Sequence, residues 1–117
     1  MTHVFVETNW IVSRIAPAWF HDPEAAALHE KHRAGKIQIH VPVISIHEAR
    51  SVLPRFSRNR LRELDGLVNW ILAAEPEVKP AVQRIKERGL SALQSFEATR
   101  EKRLMELVND LDDAIFP

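Results

Sequence analysis

The sequence predicts an α/β fold in which a short parallel sheet is followed by long helices. Two short apolar runs rich in β-branched residues, "HVFVE" at 3–7 and "KIQIHVPVISI" at 36–46, are typical of strands. A helical segment separates them, and from residue 59 onward only helix-period apolar patterns remain. A strand, a helix and a second strand in this order form a βαβ unit, whose strands pair in parallel through a right-handed crossover.

Length and composition limit the fold and the class of protein. With 117 residues, 45% of them hydrophobic, the chain can bury one core, so we expect one domain with a βαβ part at 1–57 and a helical part at 58–117. Lys and Arg number 16, as do Asp and Glu, so net charge gives no whole-chain argument for a nucleic-acid or membrane partner. The lack of cysteine excludes disulfides and thiolate metal sites. Because neither a secretory leader nor an apolar stretch of about 18 residues occurs, we expect a cytoplasmic protein without a membrane partner.

The segment between the two strands carries clear start and stop signals. After the first strand, apolar residues at helical spacing predict a helix within 9–20, which Pro17 should end or kink. Asp22 and Pro23 are typical of a helix N-cap and first helical residue, and Gly35 is typical of a helix end. A second helix is therefore predicted between Asp22 and Gly35.

The second strand is predicted from alternation at period two over residues 37–41. Pro42 cannot donate a hydrogen bond to a neighbouring strand, so it should mark the strand's edge, a bulge or its exit. Ser45 is the predicted N-cap of the next helix, with Glu48 as its capping-box partner. The strand should therefore lead directly into a helix.

Two amphipathic stretches make up the helical part. The first runs from residue 59 and should end before Pro76. The second, at about 80–115, would as an unbroken helix be roughly 50 Å long, more than the diameter of so small a domain. We expect it either to break, with Gly89 as the candidate position, or to project and pack on a partner. The tryptophans fall on apolar stripes and are expected in the core or an interface: Trp10, Trp19 and Trp70.

Two carboxylates follow the two predicted strands. Glu7 ends the first strand and Glu48 lies just beyond the second, and ligands of open parallel sheets bind in the crevice outside the carboxyl ends of neighbouring strands. Two carboxylates a few ångströms apart repel each other unless a cation lies between them or the pKa of one is raised. Together with the amide oxygen of Asn9, they favour Mg²⁺ or Mn²⁺ over zinc. The sequence thus predicts a divalent-cation site that could polarise a phosphate and activate a water.

These residues resemble the PIN domain family. "VFVETNWIV" at 4–12 looks like the family's first motif, a hydrophobic strand ending in an acidic residue that Thr and Asn follow, and "VPVISIHEA" at 41–49 resembles the second. The family's first acid is usually Asp, so Glu7 is a departure that adds one methylene. PIN domains are metal-dependent ribonucleases and include toxins of toxin-antitoxin pairs. The resemblance implies that Glu7 and Glu48 bind the metal, that Asn9 orients the metal or its water, and that this water attacks RNA.

The resemblance covers about residues 3–53. The family has a third acid at the start of a later helix, often before Ala, and "LDDAIFP" at the end of the chain imitates it. Asp112 or Asp113 is therefore a candidate third metal ligand. The alternative is an incomplete PIN domain that stops before the later strands, as a truncated or degenerate member would, and a half-site of Glu7 and Glu48 should then bind metal weakly.

Several features also have structural explanations. Glu7 could simply be polar at a strand end, and the capping box would account for Glu48 alone, so the metal site rests on the pair. Arg50, Arg55 and Arg58 either hold an RNA backbone or form ion pairs on a solvated helix face. The histidines of "HEKH" are expected at a helix surface: His29 and His32.

Two functions follow from these interpretations. The first is a PIN-like endoribonuclease, or the N-terminal part of one, with RNA as substrate and, in a toxin, an antitoxin as partner. The second is a catalytically inactive module that retains degenerate acids and forms a homodimer through its C-terminal helices, because one small sheet can hardly cover the long apolar stripe of residues 82–115.

Overall fold

The computed structural model describes residues 1–17 and 21–117, and Trp19 lies outside them. Long helices outweigh a small sheet, so the described part of the chain has the predicted α/β character. The elements in chain order are β1 (Thr2–Phe5), α1 (Thr8–Ile15), α2 (Pro23–Arg33), β2 (Ile37–Pro42), α3 (Val43–Ala74), a 3-10 turn (Pro76–Val78), α4 (Lys79–Asp110), a second 3-10 turn (Asp112–Ala114) and β3 (Ile115–Phe116).

The sheet has three parallel strands in the order β1-β2-β3. Val4 pairs with Ile39 between β1 and β2, and Val41 pairs with Ile115 between β2 and β3. The parallel pairing of β1 and β2 confirms the predicted βαβ unit. β3 was not expected, because a strand of only two residues is too short to show alternation in the sequence.

Helices cover one face of this sheet. Ile39 and Val41 are fully buried in a core to which all four helices contribute, and Val4 and Ile115 pack against it. The residues that alternate with these strand positions form an aromatic cluster on the other face, and the ring of Phe5 there stacks on a histidine with 4.8 Å between ring centroids. The members of this cluster are His3, Phe5, His40 and Phe116.

The local signals before β2 are confirmed. The Asp22 carboxylate accepts a hydrogen bond from the backbone N–H of Glu24 at 3.0 Å, and Pro23 begins α2. Gly35 has a φ of +73°, a left-handed conformation that suits glycine after a helix. α1 ends at Ile15, before Pro17. Residue type and spacing were sufficient to predict these helix ends, because each signal depends only on residues within one turn of it.

The predicted start of α3 is wrong. The helix begins at Val43, directly after Pro42, and Ser45 lies buried within its first turn instead of capping it. Pro42 has φ −63° and ψ 133°, so it can end the strand and precede the helix without an intervening loop. α3 then continues through Pro54 and joins two stretches of helical pattern into 32 residues.

α4 does not break at Gly89. It runs unbroken from Lys79 to Asp110 and packs along α3, and the resulting helical hairpin gives the molecule extents of 57 × 24 × 17 Å. A Cβ at position 89 would lie 2.8 Å from Cδ2 of Leu64, so the glycine permits a close approach of the two helices. Of the described tryptophans, Trp10 is buried as expected, whereas Trp70 is 70% exposed and is not part of the core.

Candidate functional site

A polar depression lies where β1 and β2 end. Beyond their last residues the chain enters α1 and α3, and the first turn of α1 and the first two turns of α3 line an open cavity of about 340 Å³. The structure thus brings together the two predicted acids and the predicted amide, although the two motifs are far apart in the sequence. The lining residues are Glu7, Thr8, Asn9, Ser45 and Glu48.

Glu48 is held from the other strand exit and not by its own helix. The hydroxyl of Thr8 donates a hydrogen bond to Oε2 of Glu48 at 2.5 Å. The predicted capping box with Ser45 is therefore wrong, since α3 begins earlier than expected and has no side-chain cap. The hydrogen bond from Thr8 thus restrains the Glu48 carboxylate, and both residues line the depression.

Two helix N-termini face this depression. The N-cap residues Glu7 of α1 and Pro42 of α3 make no side-chain capping hydrogen bond. A helix N-terminus carries a partial positive charge and backbone N–H groups without partners in the helix, so it attracts carboxylates and phosphates. The geometry therefore favours an anionic ligand in the depression.

The side-chain atoms of the depression suit a hard cation, although only two of its residues, Glu7 and Glu48, are charged. All side-chain donors in the depression are oxygens except the Asn9 amide nitrogen, and Mg²⁺ prefers carboxylate, carbonyl and water oxygens. Within residues 1–17 and 21–117, no three or more His, Asp or Glu side chains form a group that could hold a metal ion. A cation here would depend on Glu7 and Glu48, with neutral oxygens and water completing its coordination.

The acids at the end of the chain lie elsewhere in the fold. Asp112 and Asp113 belong to the turn that precedes β3, and β3 runs parallel to β2. They therefore approach the sheet from the amino ends of its strands, whereas Glu7 and Glu48 follow the carboxyl ends. Neither Asp112 nor Asp113 is among the residues that line the depression.

The three predicted RNA-contacting arginines point in different directions. Arg50 pairs with Glu101 of α4 at 3.1 Å, and Arg58 lines a cleft between α3 and α4. Arg55 is exposed and follows Glu48 along the same face of α3, two turns or about 10 Å away. Helical geometry thus aligns only Arg55 of these three with the depression.

A second polar cluster was missed by the sequence interpretation. His29, expected at a helix surface, is 1% exposed and contacts Asp110 with 2.6 Å between Nε2 and Oδ2. Arg14 and Arg33 contact the same pair. No local pattern could have revealed this contact, because it joins α2 to the far end of α4.

Comparisons with models of protein families, with curated proteins and with solved structures found no match. In the part of the chain that the structure describes, no helix has both the length and the apolar character needed to span a bilayer.

Proposed function

We propose that the depression at the strand exits is the active site of a PIN-like, divalent-metal-dependent endoribonuclease. The observation that carries this proposal is the convergence of Glu7 and Glu48 on one cavity, with Thr8 hydrogen-bonded to Glu48 across it. Capping explains neither acid, because Glu7 makes no side-chain capping hydrogen bond and α3 begins before Ser45. The parallel sheet and the positions of the acids agree with the resemblance of the two motifs to the PIN family.

The side chains of the depression have distinct roles in this proposal. Glu7 and Glu48 would hold Mg²⁺ or Mn²⁺, which when bound supplies charge that polarises a phosphate and lowers the pKa of a water. Thr8 would hold the Glu48 carboxylate in place through its hydrogen bond to Oε2. Asn9, in the first turn of α1, can donate a hydrogen bond from its amide to a phosphate oxygen or accept one from water.

The surroundings of the acids favour a phosphodiester substrate. The N-termini of α1 and α3 attract phosphate oxygens, and Arg55 extends positive charge along α3 from Glu48. These contacts would bind the phosphate backbone of RNA and not its bases, so the sequence preference of cleavage should be weak.

Metal binding is the direct test of the site. Paramagnetic broadening of backbone amide signals by Mn²⁺ should be centred on Thr8, Asn9 and the first two turns of α3. Glu48→Gln should weaken it about tenfold or more, because the loss of a charged ligand costs more than 1.4 kcal/mol. Glu87→Gln, which changes an exposed acid on α4, is the matched control. Broadening that both variants leave unchanged would contradict the proposed metal site.

Cleavage tests the activity separately. Single-stranded RNA should be cut in the presence of Mg²⁺ or Mn²⁺, and the rate should drop to background with EDTA, in Glu7→Gln and in Glu48→Gln. Glu87→Gln should retain the wild-type rate. Activity of equal size in all variants would show a contaminating nuclease, and metal binding without cleavage would leave an inactive half-site.

A second candidate function is supported by the tip of the helical hairpin. Leu67, Trp70 and Ile85 are 54%, 70% and 62% exposed and lie within about two turns of the connection between α3 and α4. Large apolar side chains that stay exposed are typical of interaction sites. They favour the interaction module, with a second copy of the chain docking at this tip.

The state of association distinguishes this candidate. If the tip forms a dimer, sedimentation equilibrium should give a dimer mass for the wild type and a monomer mass for Trp70→Ser. Val52→Ser, which changes another partly exposed apolar residue of α3 near the sheet, should leave the mass unchanged. A wild-type monomer at high protein concentration would exclude dimerisation through the tip.

A further inference from the structure

A second polar depression lies at the opposite end of α1 from the acids. It has a volume of about 210 Å³ and lies between α1, α2 and α4. None of its lining residues belongs to the acidic site. Its polar side chains are three arginines, two acids and a buried histidine: Arg14, Arg33, Arg103, Glu106, Asp110 and His29.

The histidine at its base is neutral and fixed in one tautomer. Arg14 donates from Nε to Nδ1 of His29 at 3.1 Å, so Nδ1 carries no proton and Nε2–H donates to Asp110 at 2.6 Å. Burial lowers the pKa of His29, and the positive charges of Arg33 and Arg14 add to this effect against the opposing contribution of Asp110. Arg14 therefore contacts a neutral partner.

Arg33 has carboxylate partners, and the two acids that line the cavity, Glu106 and Asp110, have cationic partners. Arg33 donates from Nη2 to Asp110 at 3.0 Å and from Nη1 to Glu30 at 2.7 Å. Glu106 lies 4.0 Å from Lys102. Arg33 is thus shared between two carboxylates, and Asp110 and Glu106 each have a cationic neighbour.

Arg14 and Arg103 have no carboxylate of the described residues within ion-pair distance, although Glu30 and Asp110 act on the charge of Arg14 from farther away. Arg103 donates to the backbone carbonyl of Ile15 at 3.4 Å, and neither arginine forms an ion pair with any of the residues that the structure describes. Arg14 is half-buried, and burial lowers the pKa of its guanidinium, as does Arg33, against the opposing charges of Glu30 and Asp110. Two guanidinium groups without a directly paired carboxylate therefore line the same cavity of about 210 Å³.

We propose that this depression binds a dianionic phosphate group between Arg14 and Arg103. The guanidinium fork donates parallel hydrogen bonds to phosphate oxygens, and two positive charges match a dianion better than the single charge of a phosphodiester. The ligand is inorganic phosphate or a phosphate monoester, since both present the same group. The proposal does not depend on the nuclease activity, because the two sites share no residue.

Titration with sodium phosphate tests the site at constant ionic strength and at a pH where phosphate is mainly dianionic. The Nε–H signals of Arg14 and Arg103 and the ring nitrogens of His29 should shift saturably in NMR spectra. Arg103→Gln should weaken binding about tenfold or more, because a charge-assisted hydrogen bond is lost. Arg103 is exposed, so this variant should keep the fold. Arg88→Gln removes the same charge from an exposed position on the hairpin and should leave the affinity unchanged.

The outcomes distinguish specific binding from a general ionic effect, and inorganic phosphate from a phosphate monoester as the ligand. Absence of saturable shifts in the wild type, or equal weakening in Arg103→Gln and Arg88→Gln, would overturn the proposal. Dimethyl phosphate binding as tightly as inorganic phosphate would overturn the assignment of a dianion. Uridine 5′-monophosphate binding as tightly as inorganic phosphate or more tightly would support a monoester ligand, and preferential binding of inorganic phosphate would support the free ion.

Discussion

The sheet end of the molecule and the distal hairpin are held together differently. We define the distal hairpin as residues 62–90 and the sheet end as the remaining described residues. In the distal hairpin only Val68 and Val82 are buried. The sheet end contains all of the largest fully buried side chains: Phe96, Ile11, Ile15, Ile39, Leu53, Leu104, His29 and Val41.

The difference shows how much burial a helix pair gains when it also packs on a sheet and on further helices. At the sheet end all four helices and the strands contribute apolar side chains to one core, so these side chains are removed from water. In the distal hairpin two helices lie side by side, and Trp70 and Ile85 stay exposed. Because stability follows buried apolar area, the distal hairpin should open locally at lower free energy than the sheet end, unless a partner covers it.

The largest expected effect is the difference in stability loss between truncating a buried isoleucine of the sheet end and truncating an exposed isoleucine of the distal hairpin. Ile39→Ala, at a fully buried position in the central strand, should lower the free energy of unfolding by about 2–5 kcal/mol. Ile85→Ala, at a 62% exposed position, should change it by no more than about 0.5 kcal/mol. Urea denaturation of both variants measures the difference. A similar loss in Ile85→Ala would show that the distal hairpin is buried in an interface.

Removal of a polar contact at the sheet end should cost less. Asp110→Ala removes the acceptor of the buried His29 Nε2–H, and a buried donor without a partner costs about 1–3 kcal/mol. Asp113→Ala changes an exposed acid close by and should stay within about 0.5 kcal/mol of the wild type. Urea denaturation again gives the comparison, and equal values for the two variants would mean that His29 finds another acceptor.

Much of the fold could be predicted where signals act over one or two turns. The Asp22 cap, the Gly35 helix end and the alternation leading to Pro42 each depend on neighbouring residues, and each was found. The candidate site was also partly predictable. Parallel pairing puts successive strand exits at one edge, so Glu7 and Glu48 could be expected to meet before any contact was known.

Features that depend on distant contacts could not be predicted. His29 looks like a surface residue because its partner Asp110 lies at the other end of the chain. Gly89 looks like a helix breaker, since glycine has low helix propensity, yet packing against Leu64 requires a small residue there. The hydrogen bond from Thr8 to Glu48 was missed because the capping box offered a local partner.

The pH dependence of stability should reveal the buried histidine of the sheet end. Burial, with the charges of Arg33 and Arg14, lowers the pKa of His29 below its usual 6.5 despite the hydrogen bond to Asp110. Between the lowered pKa and 6.5 the unfolded chain binds more protons, so the free energy of unfolding should rise with pH across this window and fall on acidification. The effect should be smaller than that of Asp110→Ala, because protonation displaces only the contact with Arg14.

Two variants assign this pH dependence. His29→Gln should flatten the rise in a series of urea denaturation curves, whereas His47→Gln, at an exposed position on α3, should retain it. The free energy of unfolding should decrease a second time at lower pH, because of Asp110. Burial alone would raise the pKa of Asp110, but hydrogen bonds from Arg33 and His29 lower it below 3.8. The stabilisation that the ionised carboxylate provides is therefore lost only below that value. An unchanged slope in His29→Gln would assign the upper window to another group.

The smallest expected effect concerns the closest helix approach in the distal hairpin. Gly89→Ala should gain up to about 1 kcal/mol from helix propensity. In the wild type the added Cβ would meet Leu64 Cδ2 at 2.8 Å, so the leucine must move and part of the gain is lost. In a Leu64→Ala background this clash is absent, and Gly89→Ala should show its full stabilisation. Urea denaturation of the four proteins of this double-mutant cycle gives the coupling, which should be about 0.5–1 kcal/mol. Zero coupling would mean that α3 and α4 separate at this point without cost, and that the distal hairpin is even more loosely held than its few buried residues suggest.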